Sequence, residues 1–323
     1  MRRREFIALA GGTAAWPLAV RAQQAVAPVV GYLLGSDSHA PWLAAFRDSL
    51  KNAGYVEGQN IAFEGSGAEG QYDKLPTMAS ELVRRPVAVI VAFNLPALVA
   101  AKAATSTIPI VFISSGDPVQ LGFVASLNRP GGNITGVTFL GVDLAAKRLE
   151  LLLELVPQAS VIGVLENPAN PRTDPEITEV RAAARGIGKK ILVGNASSER
   201  EFDTAFASLV QGRVGALLVS GDPLFALRRE RLIALAAQHA IPAIYPYREF
   251  AAVGELMSYG SSLAEAYRLV GVYSGRILKG EKVADLPVQQ SKKVELVINL
   301  KTAKVLGLTF PITLLGRADE VIE

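Results

Sequence analysis

The sequence contains no cysteine and only two histidines, His39 and His239, among its 323 residues. Without cysteine, the chain has no disulfide scaffold, thiolate zinc site, cysteine nucleophile or cysteine-linked lipid anchor. Two isolated histidines do not make a metal-binding cluster, and they leave little room for a nucleophile–base pair. The motifs G-x-S-x-G, H-E-x-x-H and G-x-x-x-x-G-K are also missing from the sequence. We therefore expect a protein that is not an enzyme and uses no cofactor or metal.

Net charge is small and is concentrated at one end of the chain. The formal charge is +3, and the first 22 residues hold Arg2, Arg3, Arg4 and Arg21 against the single acid Glu5. The remainder of the chain therefore carries no net charge, and it contains no basic run. Such a chain attracts phosphate groups only weakly, so we expect no nucleic-acid partner.

The first 22 residues have the three parts of an export signal: an arginine-rich start, an apolar stretch and a cleavage site after Ala22. The apolar stretch, Ile7–Val20, is shorter than the ~18–20 residues that span a bilayer. Arg3–Ile7 also resembles the twin-arginine motif, whereas a general secretory signal is the alternative. Both routes predict a periplasmic protein that is not embedded in the membrane.

The rest of the chain is typical of an α/β protein with two domains. Half of all residues are hydrophobic, and the length suits two domains of ~100–200 residues each. Short apolar runs alternate with amphipathic helical patterns, as in parallel sheets covered by helices on both faces. The predicted strands are Val29–Leu34, Ile61–Glu64, Val87–Phe93, Ile108–Ile113, Val161–Leu165, Ile191–Val193, Ala216–Ser220, Ile241–Tyr245 and Leu256–Tyr259. This pattern predicts a doubly wound α/β fold.

The two halves separate near residue 139. The turn Arg129–Asn133 precedes Ile134–Phe139, which we interpret as an exit strand that crosses to a second sheet. The strand–helix rhythm restarts at Val161. Leu256–Ser262 and Asp285–Gln290 are two further segments where the chain could cross back between the halves.

Candidate binding residues follow the predicted strands, because ligands of open α/β sheets bind at the carboxyl ends of the strands. The candidates in the first half are Ser36, Asn94, Ser115 and Asp117, and those in the second half are Asn167, Asp222, Tyr245 and Tyr259.

Each candidate also has a purely structural interpretation. Asp117 and Asp222 both precede proline, where a carboxylate commonly caps the next helix, but either could also face the amino group of a ligand. Asn167 stands before a proline as an ordinary turn former. Tyr245 and Tyr259 either border the cleft or pack in the core with a hydrogen-bonded hydroxyl.

Several segments resemble one family of transport proteins. They are Gly54–Asn60, Ala104–Phe112, Gly116–Val119, Arg129–Gly136, Leu155–Pro157, Asn167–Pro168, Asp222–Phe225, Ile241–Tyr245, Met257–Gly260 and Phe310–Ile322. In this order they are similar to the periplasmic substrate-binding proteins of ABC transporters related to the tryptophan/tyrosine-binding type. The resemblance extends over nearly the whole chain after residue 22.

The resemblance implies two Rossmann-like lobes joined by three crossover segments, the type I periplasmic binding protein fold. The first lobe would comprise residues 28–138 and 261–284, and the second residues 139–260 and 285–323. Such a protein closes on a small ligand, most readily an amino acid or a related compound, and delivers it to a membrane permease. We expect a monomer in which Asp117 or Asp222 binds the ligand ammonium. A ligand-sensing module for a membrane receptor is the main alternative, and an exported α/β enzyme is the weaker one.

Overall fold

The computed structural model describes residues 27–35, 42–139 and 144–323. The predicted export signal, Ser36 and His39 lie outside these ranges. The strands are β1 (Val29–Leu34), β2 (Ala62–Gly67), β3 (Val87–Ala92), β4 (Ile110–Ser115), β5 (Ile134–Phe139), β6 (Val161–Glu166), β7 (Lys190–Asn195), β8 (Ala216–Val219), β9 (Ala243–Tyr245), β10 (Met257–Ser261), β11 (Gln289–Ser291), β12 (Val294–Asn299) and β13 (Glu320–Ile322). The helices are α1 (Leu43–Asn52), α2 (Leu75–Leu82), α3 (Leu95–Ala104), α4 (Ala145–Leu155), α5 (Thr173–Gly186), α6 (Phe202–Gln211), α7 (Pro223–Leu227), α8 (Arg229–Gln238), α9 (Leu263–Leu278), α10 (Leu300–Val305) and α11 (Ile312–Leu315).

The strands form two separate sheets. The first has six parallel strands in the order β11-β5-β4-β3-β1-β2. The second has seven strands in the order β13-β12-β10-β9-β8-β6-β7, and its only antiparallel pair is β10 with β12. Helices alternate with the strands, so the α/β prediction is confirmed. We call each sheet with its packed helices the first and the second lobe.

The chain crosses between the sheets three times. It passes from β5 to β6, returns after β10 into α9, and leaves the first sheet again between β11 and β12. Helix α9 belongs to the first lobe because it packs against α1 and against β3, β4 and β5.

The predicted exit strand, Ile134–Phe139, is β5 and pairs along its whole length with β4 of the first sheet, from which the chain then crosses to the second. One sequence-based boundary differs from the pairing that the structure shows. The proposed lobe boundary at residue 285 places β11 in the second lobe, whereas β11 pairs with β5. The third crossing therefore lies at residues 292–293. Strand β11 is only three residues long, so its sequence contains almost no hydrophobic pattern from which a strand could be predicted.

Close packing of α1 on α9 depends on glycine. A Cβ atom at Gly271 would lie 2.6 Å from the Phe46 carbonyl oxygen and 2.6 Å from Ser49 Cβ. Any larger residue at position 271 would therefore force the two helices apart. This contact matters for the site because α9 also presents Leu263 and Tyr267 to the space between the lobes.

In the part of the chain that the structure describes, no helix is both long and apolar enough to cross a membrane. The same residues contain no group of three or more acidic or histidine side chains that could hold a metal ion.

Candidate ligand-binding site

A cavity lies between the two lobes, the usual place for a small-molecule site in proteins of two lobes. Asn94 follows β3, Ser115 ends β4 and Asp222 follows β8, so the cavity lies at the carboxyl ends of strands from both sheets. The first lobe contributes Trp42, Phe93, Asn94, Ser115 and Tyr267 to its lining, and the second contributes Asn170, Arg172, Asp222 and Tyr247.

Asp222 is the buried carboxylate of this cavity, with 2% of its surface exposed. Its Oδ1 accepts hydrogen bonds from the Tyr72 hydroxyl at 2.8 Å, the Leu224 amide at 2.8 Å and Asn167 Nδ2 at 3.3 Å. Among the described residues, its Oδ2 accepts one hydrogen bond, from Asn170 Nδ2 at 2.7 Å. All four of these donors are neutral groups. Burial raises the pKa of Asp222, although the hydrogen bonds from Asn170, Tyr72 and Asn167 oppose that effect.

Local sequence explains why this carboxylate points into the cavity. Strand β8 ends at Val219, and Asp222 then caps the short helix α7, whose first residue is Pro223. The intervening Gly221 passes close to the second charged group of the site. A Cβ atom at Gly221 would lie 2.7 Å from Arg172 Nη1 and 2.8 Å from the Tyr247 hydroxyl. Glycine is therefore needed here for the chain to pass these two side chains.

The second charged group is a buried network of Arg148, Glu176 and Arg172. Arg148 Nη2 lies 2.7 Å from Glu176 Oε1, and Arg172 Nη2 donates to Glu176 Oε2. All three side chains are at most 6% exposed. Burial tends to lower the pKa of Arg172, but the Glu176 carboxylate raises it above its usual value. The Arg172 guanidinium lines the same cavity as Asp222.

Aromatic side chains form the apolar wall of the cavity. The rings of Phe93 and Tyr267 are stacked, with centroids 4.8 Å apart and an angle of 10° between their planes. Trp42 packs edge-on against Tyr267, with the ring centroids 5.9 Å apart. Aromatic rings bind flat apolar groups well, because the contact removes large apolar surfaces of both the ring and the bound group from water.

Hydrogen bonds between described residues connect the lobes around the cavity. Arg172 Nη1 donates to Ser115 Oγ at 2.9 Å, the Tyr72 hydroxyl donates to Asp222, and the Leu224 amide donates to the Tyr72 hydroxyl at 3.4 Å. Each bond has one partner in each lobe. The lobes are therefore closed on each other in this structure.

Four of the predicted site residues come together here. Asn94, Ser115 and Asp222 line the cavity, and Asn167 contacts Asp222 without lining it. Asn94 also caps α3, because its Oδ1 accepts a hydrogen bond from the Ala97 amide at 3.1 Å. For Asn94 and Asp222, capping a helix and lining the cavity are compatible roles.

Asp117, Tyr245 and Tyr259 do not lie among the residues that line this cavity. Asp117 is exposed, and its Oδ1 accepts hydrogen bonds from the Val119 and Gln120 amides. These bonds correspond to the structural interpretation of Asp117, in which its carboxylate caps the residues that follow it. Tyr245 is 1% exposed and stacks on Phe250, so it is a core residue, and burial raises its pKa. Tyr259 is half-buried and packs against the hydrophobic core of the second lobe. Ser36 lies outside the described residues.

Sequence reasoning missed Tyr72, Arg172 and the aromatic wall. Arg172 carried a usable signal, because Arg172 and Glu176 are four residues apart at the start of a helix and can pair there. Tyr72 carried none, since it lies in a short 3-10 turn, Tyr72–Lys74, and its partner is 150 residues away. Phe93 and Tyr267 fit an ordinary core pattern equally well.

Comparison with known proteins shows what this architecture is similar to. The family model described as ABC transporter substrate binding protein matches residues 30–322. The tyrosine-binding protein of Clostridioides difficile is 30% identical over 264 residues, which cover 81% of this chain and 75% of that protein.

Two solved structures are informative about the state of the lobes. The ABC domain in complex with L-Trp from Streptococcus pneumoniae is 26% identical, with a TM-score of 0.79 and coverage of 91% of this chain and 100% of that one. A ligand-free, open structure of a substrate-binding protein with adhesive properties from Clostridium difficile is 27% identical, with a TM-score of 0.62 and coverage of 91% and 99%. At nearly equal identity, the present structure superposes better on the ligand complex, in agreement with the hydrogen bonds between its lobes.

The match over almost the entire described chain, the two parallel-rich sheets and the cavity between them lead to one assignment. The chain belongs to the ABC transporter substrate-binding protein family, a family of binding proteins rather than enzymes, and has the type I periplasmic binding protein fold.

Proposed function

We propose that this protein is a periplasmic receptor that closes on an aromatic α-amino acid and delivers it to the permease of an ABC transporter. The observation that carries the proposal is the presence of two oppositely charged groups in one aromatic-lined cavity: the Asp222 carboxylate and the Arg172 guanidinium. A free amino acid has an ammonium and a carboxylate on one carbon atom, and this arrangement complements both.

The ammonium of the ligand would bind Asp222. Oδ1 already accepts three hydrogen bonds, whereas Oδ2 accepts one and has capacity for another. A cation at Oδ2 would also neutralise a carboxylate that is otherwise buried among neutral donors. Charge-assisted hydrogen bonds of this kind are about twice as strong as neutral ones.

The carboxylate of the ligand would lie toward Arg172 and Ser115, at the positive end of the cavity. The aromatic group would then pack against Phe93, Tyr267 and Trp42. Both curated and structural relatives agree with this chemistry, since one is a tyrosine-binding protein and another contains L-Trp.

Binding would work by lobe closure. A ligand that contacts both lobes favours the closed state by the contacts it makes only there. On the proposed division, residues 28–138 and 261–284 move against residues 139–260 and 285–323, with β11 transferred to the first lobe. The export signal of residues 1–22, cleaved after Ala22 by the twin-arginine or the general route, would bring the protein to the periplasm.

The test is isothermal titration calorimetry on protein that has been unfolded and refolded to remove carried-over ligand. We expect L-tryptophan or L-tyrosine to bind, and analogues lacking the amino group, such as indole-3-propionate, or the carboxylate, such as tryptamine, to bind far more weakly. Asp222→Asn keeps the cap of α7 but removes the charge, and should weaken binding at least ~30-fold.

Asp203→Asn is the control, because Asp203 is an exposed aspartate of the second lobe that pairs with Arg231 and does not line the cavity. It should bind like the unmodified protein. Equal effects of the two substitutions would contradict the ammonium assignment, and no binding of any amino acid would contradict the proposed ligand class.

A further inference from the structure

We propose that Tyr72 is a positioning residue that couples lobe closure to recognition of the cationic group of the ligand, by sharing the Asp222 carboxylate with it. The inference rests on the proposed role of Asp222 in binding that cation. It assigns a function to a residue of the first lobe that does not line the ligand cavity.

Tyr72 reaches Asp222 from the opposite lobe. Its hydroxyl donates to Asp222 Oδ1 at 2.8 Å, although the ring lies in a separate groove lined by Pro76, Ala169 and Pro171. The lobes touch tightly at this point, since a Cβ atom at Gly70 would lie 2.7 Å from Leu224 Cδ1. The hydrogen bond therefore exists only when the lobes are closed.

The two oxygens of the carboxylate have different roles. Tyr72 completes the set of three donors on Oδ1, which leaves Oδ2 with its single bond from Asn170. Tyr72 thus orients the carboxylate so that its less saturated oxygen is available to the cavity. Tyr72 does not line the cavity and would therefore act on the ligand only through Asp222.

This sharing makes closure depend on the ligand. Closing the empty protein buries the Asp222 charge among neutral hydrogen-bond donors, which is unfavourable without a counter-cation. Arg172 lines the same cavity, but its guanidinium donates to Ser115 and Glu176, and no hydrogen bond joins it to Asp222 among the described residues. An ammonium at Oδ2 removes the cost of burial, and the Tyr72 bond then stabilises the closed state.

The first experiment measures L-tryptophan affinity by calorimetry for Tyr72→Phe and for Tyr55→Phe. Tyr55 is a partly buried tyrosine of the same lobe that packs against its core away from the lobe contact, so it is the matched control. Loss of a hydrogen bond to a charged acceptor should weaken binding by Tyr72→Phe about tenfold and leave Tyr55→Phe unchanged. In the Asp222→Asn background, where the acceptor is neutral, the additional effect of Tyr72→Phe should shrink to about twofold.

The second experiment follows closure directly. The chain has no cysteine, so cysteines introduced at the exposed positions Glu81 and Glu230, one in each lobe, provide the only two sites for spin labels. With saturating L-tryptophan, Tyr72→Phe should retain a population at the open-state distance that the unmodified protein lacks. Thermal melting of each variant verifies that it is folded.

Distance measurements on the ligand-free protein distinguish an error in the role of Tyr72 from an error in the proposed ligand. Asp222→Asn lowers the cost of burying the side chain but keeps an acceptor for Tyr72, so it should enlarge the closed population without ligand, and Tyr72→Phe should reverse that gain. If these distance distributions do not respond, or if the affinity losses are the same in both backgrounds, the coupling role of Tyr72 is overturned. Absence of L-tryptophan binding to the unmodified protein would instead overturn the proposed ligand alone.

Discussion

Arg172 of the second lobe donates a hydrogen bond from Nη1 to Ser115 Oγ of the first lobe, at 2.9 Å. The same guanidinium binds Glu176, which also binds the buried Arg148. A contact between the lobes is therefore continuous with the charge network inside the second lobe. The ligand cavity lies where this network meets the buried carboxylate of Asp222.

Glu176→Gln should destabilise the protein by about 3 kcal/mol, because it replaces the buried carboxylate that Arg148 and Arg172 both bind with a neutral amide. Urea denaturation at pH 7 measures the change. Glu179→Gln, an exposed position on the same helix, should stay within about 0.5 kcal/mol of the unmodified protein. Similar losses for both variants would show that the network does not stabilise the fold.

Gly221→Ala should weaken ligand binding about tenfold, with a stability loss of about 1 kcal/mol. The added methyl would approach Arg172 Nη1 and the Tyr247 hydroxyl below 3 Å, so the Arg172 side chain must shift away from Ser115. Calorimetric titration and thermal melting measure both effects. Gly186→Ala, where a Cβ meets nothing within 4 Å, serves as the control and should leave binding intact. Unchanged affinity for Gly221→Ala would mean that the close approach at this glycine is dispensable.

Tyr267→Leu should reduce affinity for L-tryptophan about tenfold while leaving any weak affinity for L-leucine unchanged, because it removes the ring stacked on Phe93 in the cavity wall. Competition titrations with the two amino acids give the ratio of the L-tryptophan affinity to the L-leucine affinity directly. Phe63→Leu removes an aromatic ring of the same lobe that does not line the cavity, and the ratio should stay constant. A constant ratio in Tyr267→Leu as well would assign aromatic selectivity to other residues.

Glu166 should make folding stability fall as the pH rises. Burial raises the pKa of this carboxyl from an ordinary value of 4.5 to about 7 in the folded protein. The folded state therefore holds a proton that the unfolded state releases, and its stabilising effect is full below pH 4.5 and is lost as the pH rises through about 7. Glu166→Gln cannot ionise at this position.

The measurement is the free energy of unfolding from urea titrations at pH 4.5, 6 and 8. The free energy of unfolding of Glu166→Gln minus that of the unmodified protein should increase with each rise in pH. Subtraction is necessary because burial also raises the pKa of Glu255, which contributes a slope of the same sign. A pH-independent difference would show that Glu166 ionises normally in the folded state.

Local patterns were sufficient for most of the first sheet and for half of the site. The apolar run Val29–Leu34 coincides with β1, and Ile134–Phe139 coincides with β5, because each is a short β-branched segment bounded by turn residues. Asn94, Ser115 and Asp222 were found by their position after strands. Strands β11, β12 and β13 were not predicted; β11 and β13 are three residues each and have almost no periodicity.

The sequence by itself determined the alternation of strands and helices, and hence the edge of each sheet where a ligand can bind. Hydrophobic periodicity and helix caps are local properties, so they can be recognised without the partners that they eventually meet. It could not separate Asp117 from Asp222, because both stand in the same Gly-Asp-Pro context and cap the residues that follow.

Only the tertiary structure decided between them. Asp222 is buried among Asn167 and Asn170 of its own lobe and Tyr72 of the other lobe, while Asp117 is exposed. Tyr72 and Arg172 reach their interlobe partners across 150 and 57 residues of chain. Contacts over such separations depend on how two independently folded sheets pack together, and no local propensity encodes that distance. The desolvated charge that we propose for ligand recognition is thus a product of the assembled lobes rather than of any one motif.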